Sequence, residues 1–428
     1  SIIQMRKYIK ILLDSLIILI ITFILIEIFT RVFIKKIPIN IIYHFNQDIR
    51  TEVILKLGLI SKKDFNEIIR DDNGPPLFIY KPNLKINENL SDTDAKNIKT
   101  TDQNGFCNDI NIYNNTSIDI IMLGDSYTWC FAVEPNKTFS YLVQEKNNMI
   151  SYNLGKGGIG IFEHIQLLKR FGLDKNSKYV FLNIYEGNDL RDAIRYYAYK
   201  YPSANSLKEL IIDTNKDFTV FKYSLSLNLF RAIVKEISLN LFKGNNETLS
   251  FKKFSLSINI ANKYKNFKYD LVFDDKIINF NYGNNDLDET NSAIIVNENP
   301  SFLNLFDEAL LNFKKLSIKY NFTPIVTYVP STYTAYNEFV KFHDDSLTNL
   351  MQDFSNKQRT YLENKITNLD LNFIDFTLPF RQHANIYQEQ KLLYFPINRH
   401  LTSTGHEVIA KKITDFLSYL RKIEKVKK

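Results

Sequence analysis

The chain has 428 residues, 45% hydrophobic and 14% aromatic, enough to bury a full core, which excludes a disordered or low-complexity chain. Its formal net charge is +7, but the lysines are scattered among asparagines and isoleucines over the whole length. No Lys/Arg cluster is interleaved with aromatics and no helix-turn-helix or zinc-finger pattern occurs, so the charge does not imply a nucleic-acid partner.

Residues 1–10 read as a short basic head carrying Arg6, Lys7 and Lys10. The run from Ile11 to Phe33, "ILLDSLIILIITFILIEIFTRVF", is almost wholly apolar and has the length that spans a bilayer as a helix. Asp14 and Glu27 interrupt it near its two ends, where a carboxylate reaches the interface. Arg31, Lys35 and Lys36 follow the run, so basic residues flank both sides. A basic head before a first apolar segment, with no small-x-small cleavage site after it, predicts an uncleaved signal anchor with its N-terminus inside. The alternative is a buried helix of a soluble protein. In the anchored reading the chain is single-pass in the inner membrane and the rest faces the extracytoplasmic side. Cys107 and Cys130 could pair in that compartment or stay reduced as small buried hydrophobes.

Residues 34–76 read as a connector, with a short amphipathic helix predicted from Ser61 in "SKKDFNEIIRDD" and a break at "NGPP". An extended lead-in follows, with a turn at Asn104-Gly105. From there strands alternate with helices. Ile118–Gly124 is a short continuous apolar run bounded by polar residues, as expected of a strand buried on both faces, and Ile150–Gly155 and Tyr179–Tyr185 read as the second and third strands. "KTFSYLVQEKN" and "FEHIQLLKRFG" are helices between them. The rhythm stops over residues 202–300, which are rich in Asn, Lys, Phe and Ser and read as an insertion, a lid or a partner surface; "YSLSLNLFRAIVKEISLNLF" within it has helical character. It resumes over 301–428 with helix Phe302–Tyr320, strand "FTPIVTYVP", a further helix, strand Asn372–Phe376 and a last helix in "GHEVIAKKITDFLSYLRKI". This alternation predicts an α/β domain, residues 77–201 and 301–428, with a parallel sheet wound on both sides.

Ligand chemistry in such a sheet lies at the carboxyl ends of the strands. The first strand delivers Asp125-Ser126 to a strand-to-helix turn, where a serine hydroxyl would sit at a helix N-terminus and the Ser126 N–H would face an oxyanion; the plain alternative is a helix cap. The second delivers the glycine run Gly155–Gly160, which lacks the G-x-G-x-x-G spacing of a dinucleotide loop. The third ends in Glu186-Gly187-Asn188-Asp189, whose amide suits an oxyanion donor or an ordinary turn. His400 stands before the last helix, for which Thr402, Ser403 and Thr404 offer caps and Thr404 with Glu407 has capping-box spacing. His406 falls in the first turn and packs; its spacing of six from His400 is not that of a helical metal pair.

A serine, a glycine N–H, an asparagine amide and a histidine thus arrive in order at the ends of successive units: a nucleophile, oxyanion donors and a base. In these blocks, "GDSYT", "NLGKGGIG", "EGND" and "HLTSTGHEVIA", the chain resembles the SGNH (GDSL-type) hydrolase superfamily. "NGF", "VTYVPS" and "FIDF" also look like membrane-anchored bacterial members, which include envelope esterases and polysaccharide O-acetyltransferases. The resemblance implies a flavodoxin-like three-layer α/β/α sandwich with a mostly parallel five-stranded sheet. It implies ester hydrolysis or acyl transfer with no cofactor and no metal, and an acylated carbohydrate or another small ester as substrate. By the same resemblance Ser126 is the nucleophile and His400 the base, while Ser126 N–H, Gly158 N–H and Asn188 form the oxyanion hole. One position departs. The family usually places an aspartate two or three residues before the histidine, and here Asn398 and Ile397 occupy those places. In a serine protease of the chymotrypsin type, replacing the orienting Asp by Asn lowers turnover about 10⁴-fold. His400 is therefore oriented by Asn398, by a backbone carbonyl, or by a carboxylate from elsewhere, with Glu186 and Asp189 as candidates. The competing readings are a catalytically weak or inactive domain that serves as a polysaccharide-binding or assembly module, and a lipase with an aromatic-rich lid.

Overall fold

The computed structural model describes residues 2–37, 64–200, 224–241, 268–280 and 288–427, apart from residues 73, 76, 88–91, 93–97, 110–111, 115–116 and 275. Most of the connector and much of the 202–300 segment lie outside the described residues. The strands in chain order are β1 (Phe65–Ile68), β2 (Leu77–Tyr80), β3 (Lys85–Asn87), β4 (Ile98–Thr100), β5 (Ile120–Gly124) and β6 (Ser151–Gly155). They continue as β7 (Tyr179–Tyr185), β8 (Tyr269–Val272), β9 (Ile277–Phe280), β10 (Thr323–Val329), β11 (Val340–Phe342) and β12 (Asn372–Asp375). The helices are α1 (Ile2–Val32), α2 (Phe139–Asn147), α3 (Ile161–Phe171), α4 (Asp189–Lys200), α5 (Leu225–Leu241) and α6 (Asp288–Glu298). Then come α7 (Asp307–Tyr320), the single turn α8 (Thr332–Ala335), α9 (Ser346–Asn368), α10 (Thr377–Tyr387) and α11 (Ser403–Lys427). The chain divides into two compact units, residues 1–64 with 212–255, and residues 65–211 with 256–428.

In the first unit α1 is one continuous helix whose Arg6–Val32 portion, 27 residues of mean hydropathy 2.7, is long and apolar enough to cross a membrane. Its apolar side chains are exposed all round, Leu12, Leu16, Leu19 and Phe29 among them. Glu27 is not spent on solvent. Its carboxylate accepts hydrogen bonds from the backbone N–H of Leu225 and Ser226, both 2.9 Å, and from the hydroxyls of Ser224 and Ser226 at 2.9 and 2.7 Å. These are the orphan donors at the start of α5, so a side chain of α1 caps α5.

The second unit is built on a five-stranded sheet in the order β12-β10-β7-β5-β6, every neighbouring pair parallel. β5, β6 and β7 are buried at every position, which is why β5 and most of β7 run apolar, while the polar Ser151 and Asn153 of β6 are buried with hydrogen-bond partners. The chain steps from β5 outward to β6, then back across β5 to β7 and on to β10 and β12. Right-handed crossovers therefore put α2 on one face and α3, α7 and α9 on the other. The packing agrees: α2 lies against α11, and α11 against α10, while α3 contacts α7 and α4. This is a flavodoxin-like α/β/α arrangement, with the order reversal at β5 and β7 marking the crevice for a ligand. Two buried asparagines tie the carboxyl ends of the strands. Asn183 of β7 donates to the Leu123 carbonyl of β5 (2.7 Å) and accepts from Thr327 of β10 (2.6 Å). Asn153 of β6 donates to the Thr128 carbonyl and accepts from Gly155 N–H, both 2.8 Å.

Two expectations are corrected. Phe65–Ile68 is not part of a helix but a strand, paired antiparallel with Leu77–Tyr80. A partner only twelve residues away supplies the ladder bonds that local propensity cannot weigh. No helix begins at Ser126. The Thr128 and Trp129 N–H groups both bond the Asp125 carbonyl (3.2 and 3.0 Å), one helical turn, and α2 starts at Phe139. Propagation stops because Cys130 is held in a disulfide with Cys107 and Ala132 is left-handed (φ 63°). Within 202–300 the described parts are α5, α6 and the antiparallel sheet β11-β8-β9, which takes β11 from beyond the insertion.

Candidate active site

Ser126 follows β5 at the carboxyl edge of the sheet and is partly exposed, between buried Asp125 and Tyr127. Asp125 accepts Tyr127 N–H at 2.9 Å and thereby shapes the turn. The turn also needs Gly124, where a methyl would stand 2.0 Å from Thr128 Oγ1. Across the crevice the chain before α11 makes a tight loop. Arg399 N–H donates to the Phe395 carbonyl and Phe395 N–H to the His400 carbonyl, both 2.9 Å. Arg399 at its tip has φ +61°, a left-handed conformation that disfavours an arginine. This loop brings His400 Nε2 to 2.8 Å from Ser126 Oγ, across 274 residues of sequence.

His400 Nδ1 lies 3.0 Å from the backbone carbonyl of Asn398. A carbonyl only accepts, so Nδ1 carries the proton and Nε2 presents its lone pair to Ser126. The Asn398 side chain is not behind the ring. Its Oδ1 accepts His400 backbone N–H (2.8 Å) and its Nδ2 donates to the Asp92 carbonyl (2.6 Å). Glu186 and Asp189 do not orient the ring either. Glu186 accepts from Ser331 N–H (2.9 Å) and Thr334 Oγ1 (2.7 Å), and Asp189 accepts Tyr185 N–H (2.7 Å).

The imidazole is walled by aromatics. Tyr127 stacks on it at 4.8 Å between ring centroids and on Tyr185 at 3.5 Å, and Phe131 covers it at 4.0 Å. Tyr127 also donates its hydroxyl to the Arg399 carbonyl (3.1 Å), bracing the loop. These walls take water from much of the half-buried ring, and desolvation pulls the His400 pKa from 6.5 down to about 3. The Asn398 carbonyl works against the fall, while the charges of Arg399 and of Lys99 on β4 add to it. His400 is thus neutral, and so competent to accept a proton, at any ordinary pH. Because the imidazolium has no carboxylate partner among the described residues, His400 is also a weak base.

The glycine run packs against the serine: a methyl on Gly157 would lie 3.5 Å from Ser126 Cβ. Gly158 has φ +75° with open space in front of it, and its carbonyl accepts from Arg195 Nη2 (3.2 Å). Asn188 follows β7 and lies beside Asp125, where its side chain favours the charged carboxylate. Burial, with the charge of neighbouring carboxylates, raises both Asp125 and Asp189 above the usual carboxylate range. Ser126, the glycine loop, Asn188 and His400 therefore converge at the ends of β5, β6 and β7 and the start of α11.

Sequence reasoning missed Asp92, Tyr127 and Phe131. The aromatics lay in view in "SYTWCF" directly after the serine; nothing local marks Asp92. Of the three caps the sequence offers for α11, one is used. Thr402 caps it, accepting Gly405 N–H at 3.2 Å, and not the Thr404–Glu407 box. His406 packs as expected, buried, with Nδ1 accepting Phe139 N–H at 3.2 Å. Among the described residues no group of three His, Cys, Asp or Glu could hold a metal.

No family model matches the chain, and no curated protein matches it in sequence. Among solved structures it is similar to a crystal structure of an acetyl xylan esterase, with a TM-score of 0.32 and 12% identity over 69% of this chain and 98% of that one. A likeness of that degree decides neither function nor mechanism.

Proposed function

We propose that the protein is an SGNH-type serine ester hydrolase or O-acyltransferase, anchored by α1, that acts on acylated carbohydrate of the cell envelope through an acyl-Ser126 intermediate. The observation that carries this reading is the 2.8 Å contact between Ser126 Oγ and a His400 Nε2 left unprotonated by its own backbone partner. In the first step His400 takes the Ser126 proton as Oγ attacks the ester carbonyl. The oxyanion is received by the N–H groups of Ser126 and Gly158 and by Asn188. Collapse expels the alcohol, which takes the proton back from His400. His400 then removes a proton from water or from a sugar hydroxyl, whose oxygen attacks the acyl-serine and frees Ser126. Carbohydrate is the favoured acceptor class because α1 would hold the domain at the envelope and because the four blocks resemble envelope members of the family.

A specific observation keeps a second reading alive, that of a weak enzyme or a polysaccharide-binding module: among the described residues no carboxylate meets His400 Nδ1, and two cations lie near the ring. The test uses the full chain in detergent, with p-nitrophenyl acetate, a fluorophosphonate probe and an acetylated oligosaccharide whose released acetate is followed by NMR. We expect slow turnover and stoichiometric labelling. We also expect an acid limb of kcat/KM well below pH 6.5, since the lowered His400 pKa keeps the base neutral there. A folded chain that neither labels nor releases acetate would be a module, not an enzyme. An acid limb near 6.5 would show a base in water rather than a walled one.

The asparagine can be tested separately. Asn398→Asp keeps an acceptor for His400 N–H but loses the donor to the Asp92 carbonyl and sets a carboxylate against that oxygen. We expect kcat to fall about threefold to tenfold, the effect of one broken, now repulsive, buried hydrogen bond. A rise in kcat would mean that the new carboxylate reaches Nδ1.

A further inference from the structure

The loop that carries His400 is gripped by a residue from a distant part of the chain. Asp92 stands between β3 and β4, some three hundred positions before the histidine. Its Oδ2 accepts Ile397 N–H at 2.6 Å, its Oδ1 accepts Asn398 N–H at 3.1 Å, and its own carbonyl accepts Asn398 Nδ2 at 2.6 Å. All three bonds fall on the two residues that occupy the place of the family's orienting aspartate. The next residue, Arg399, is the one in the left-handed conformation. Such a backbone persists only where its surroundings over-determine it. Here the Asp92 carboxylate fixes one side of the turn and the Tyr127 hydroxyl the other. Between them lies the Asn398 carbonyl that holds His400 Nδ1.

We propose that Asp92 is the positioning residue of this site: by holding Ile397 and Asn398 through their N–H groups it aims the Asn398 carbonyl at His400 Nδ1, and so fixes the tautomer and direction of the base. A carboxylate thus still governs the histidine, but it acts through the backbone of the loop instead of touching the ring. The proposal rests on the hydrolase reading for its kinetic consequences and on geometry alone for its structural one.

The test compares wild type, Asp92→Asn and Asp92→Ala as full-length protein in detergent. Kinetics with p-nitrophenyl acetate are read alongside ¹⁵N-histidine NMR for the Nδ1–H signal of His400, assigned through His400→Ala. For Asp92→Ala we expect kcat to fall about 10- to 100-fold with KM within twofold, as a misaimed catalytic group produces. We expect the Nδ1–H signal to broaden or vanish while the melting temperature is retained. Asp92→Asn, which keeps one acceptor, should recover part of both. Unchanged kcat and an unchanged Nδ1–H signal in Asp92→Ala would overturn the proposal. Loss of activity in step with loss of the folded signal in both variants would overturn it too, because Asp92 would then only hold the fold. If wild type shows no turnover, the hydrolase reading fails by itself. The NMR comparison still decides whether Asp92 aims the ring.

Discussion

Ser126→Ala is expected to abolish fluorophosphonate labelling and to lower ester turnover by about 10³-fold or more, leaving only the residual catalysis of the oxyanion donors. In the proposed mechanism the hydroxyl forms the acyl bond, and its partner is a single nitrogen 2.8 Å away. His400→Ala should do nearly the same, since the hydroxyl is not nucleophilic without a base. The double variant should be no worse than either single one, because residues that act as a unit lose their effect together. That non-additivity separates a catalytic pair from two residues that merely touch. Steady-state hydrolysis and intact-protein mass spectrometry of the probe adduct measure it. Labelling that survives Ser126→Ala would move the nucleophile elsewhere.

The largest structural effect is expected at Gly155. A methyl there would stand 2.5 Å from the Trp129 backbone nitrogen, 2.7 Å from the Thr128 carbonyl carbon and 2.8 Å from Asn153 Oδ1. None of these is the end of a flexible side chain. Two are backbone of the turn that carries Ser126, and the third is already fixed by bonds to Gly155 N–H and, through the same amide, to the Thr128 carbonyl. The strand is buried throughout and cannot retreat. Gly155→Ala should therefore cost about 3 kcal/mol, the range of an overpacked core, and push the serine turn away from the sheet. In a domain of this size that corresponds to a melting temperature lower by roughly 4–5 °C, with activity lost even in the molecules that remain folded. Gly158→Ala is the control. It meets open space, carries only the penalty of its positive φ, about 1 kcal/mol, and should leave the melting point nearly unchanged.

Several parts of this architecture are legible in the sequence. β7 spans the residues expected of it, Tyr179 to Tyr185, and β5, β6, β10 and β12 fall within a few residues of theirs; β5 and β7 are the clearest because strands buried on both faces leave little polar alternation. The sheet is wholly parallel, as the strand–helix rhythm implies. What was not legible depends on partners outside the local window of sequence. Phe65–Ile68 has an ambiguous pattern, and only pairing with β2 makes it a strand. The turn after Ser126 is stopped by a disulfide that the sequence left open. The grip on His400 comes from a backbone carbonyl and from Asp92, and neither a carbonyl nor a lone aspartate in a polar lead-in carries a residue-type signal. Asn398 attracted attention because it stands where an aspartate usually does, yet its side chain serves the loop and its main chain serves the ring.

The Glu27 cap bears on how the protein can be cut for study. Removing only the apolar N-terminal helix takes away the segment that would seek a membrane. It also strips α5 of the carboxylate that satisfies Leu225 and Ser226 N–H and both serine hydroxyls. The helix left behind would keep Phe230, Ile233 and Val234 exposed, with the start of its backbone unsatisfied. Such a truncation adds unsatisfied backbone donors to a helix that already exposes apolar side chains. Residues 1–64 and 212–255 form one compact unit. A water-soluble version should therefore omit both segments together.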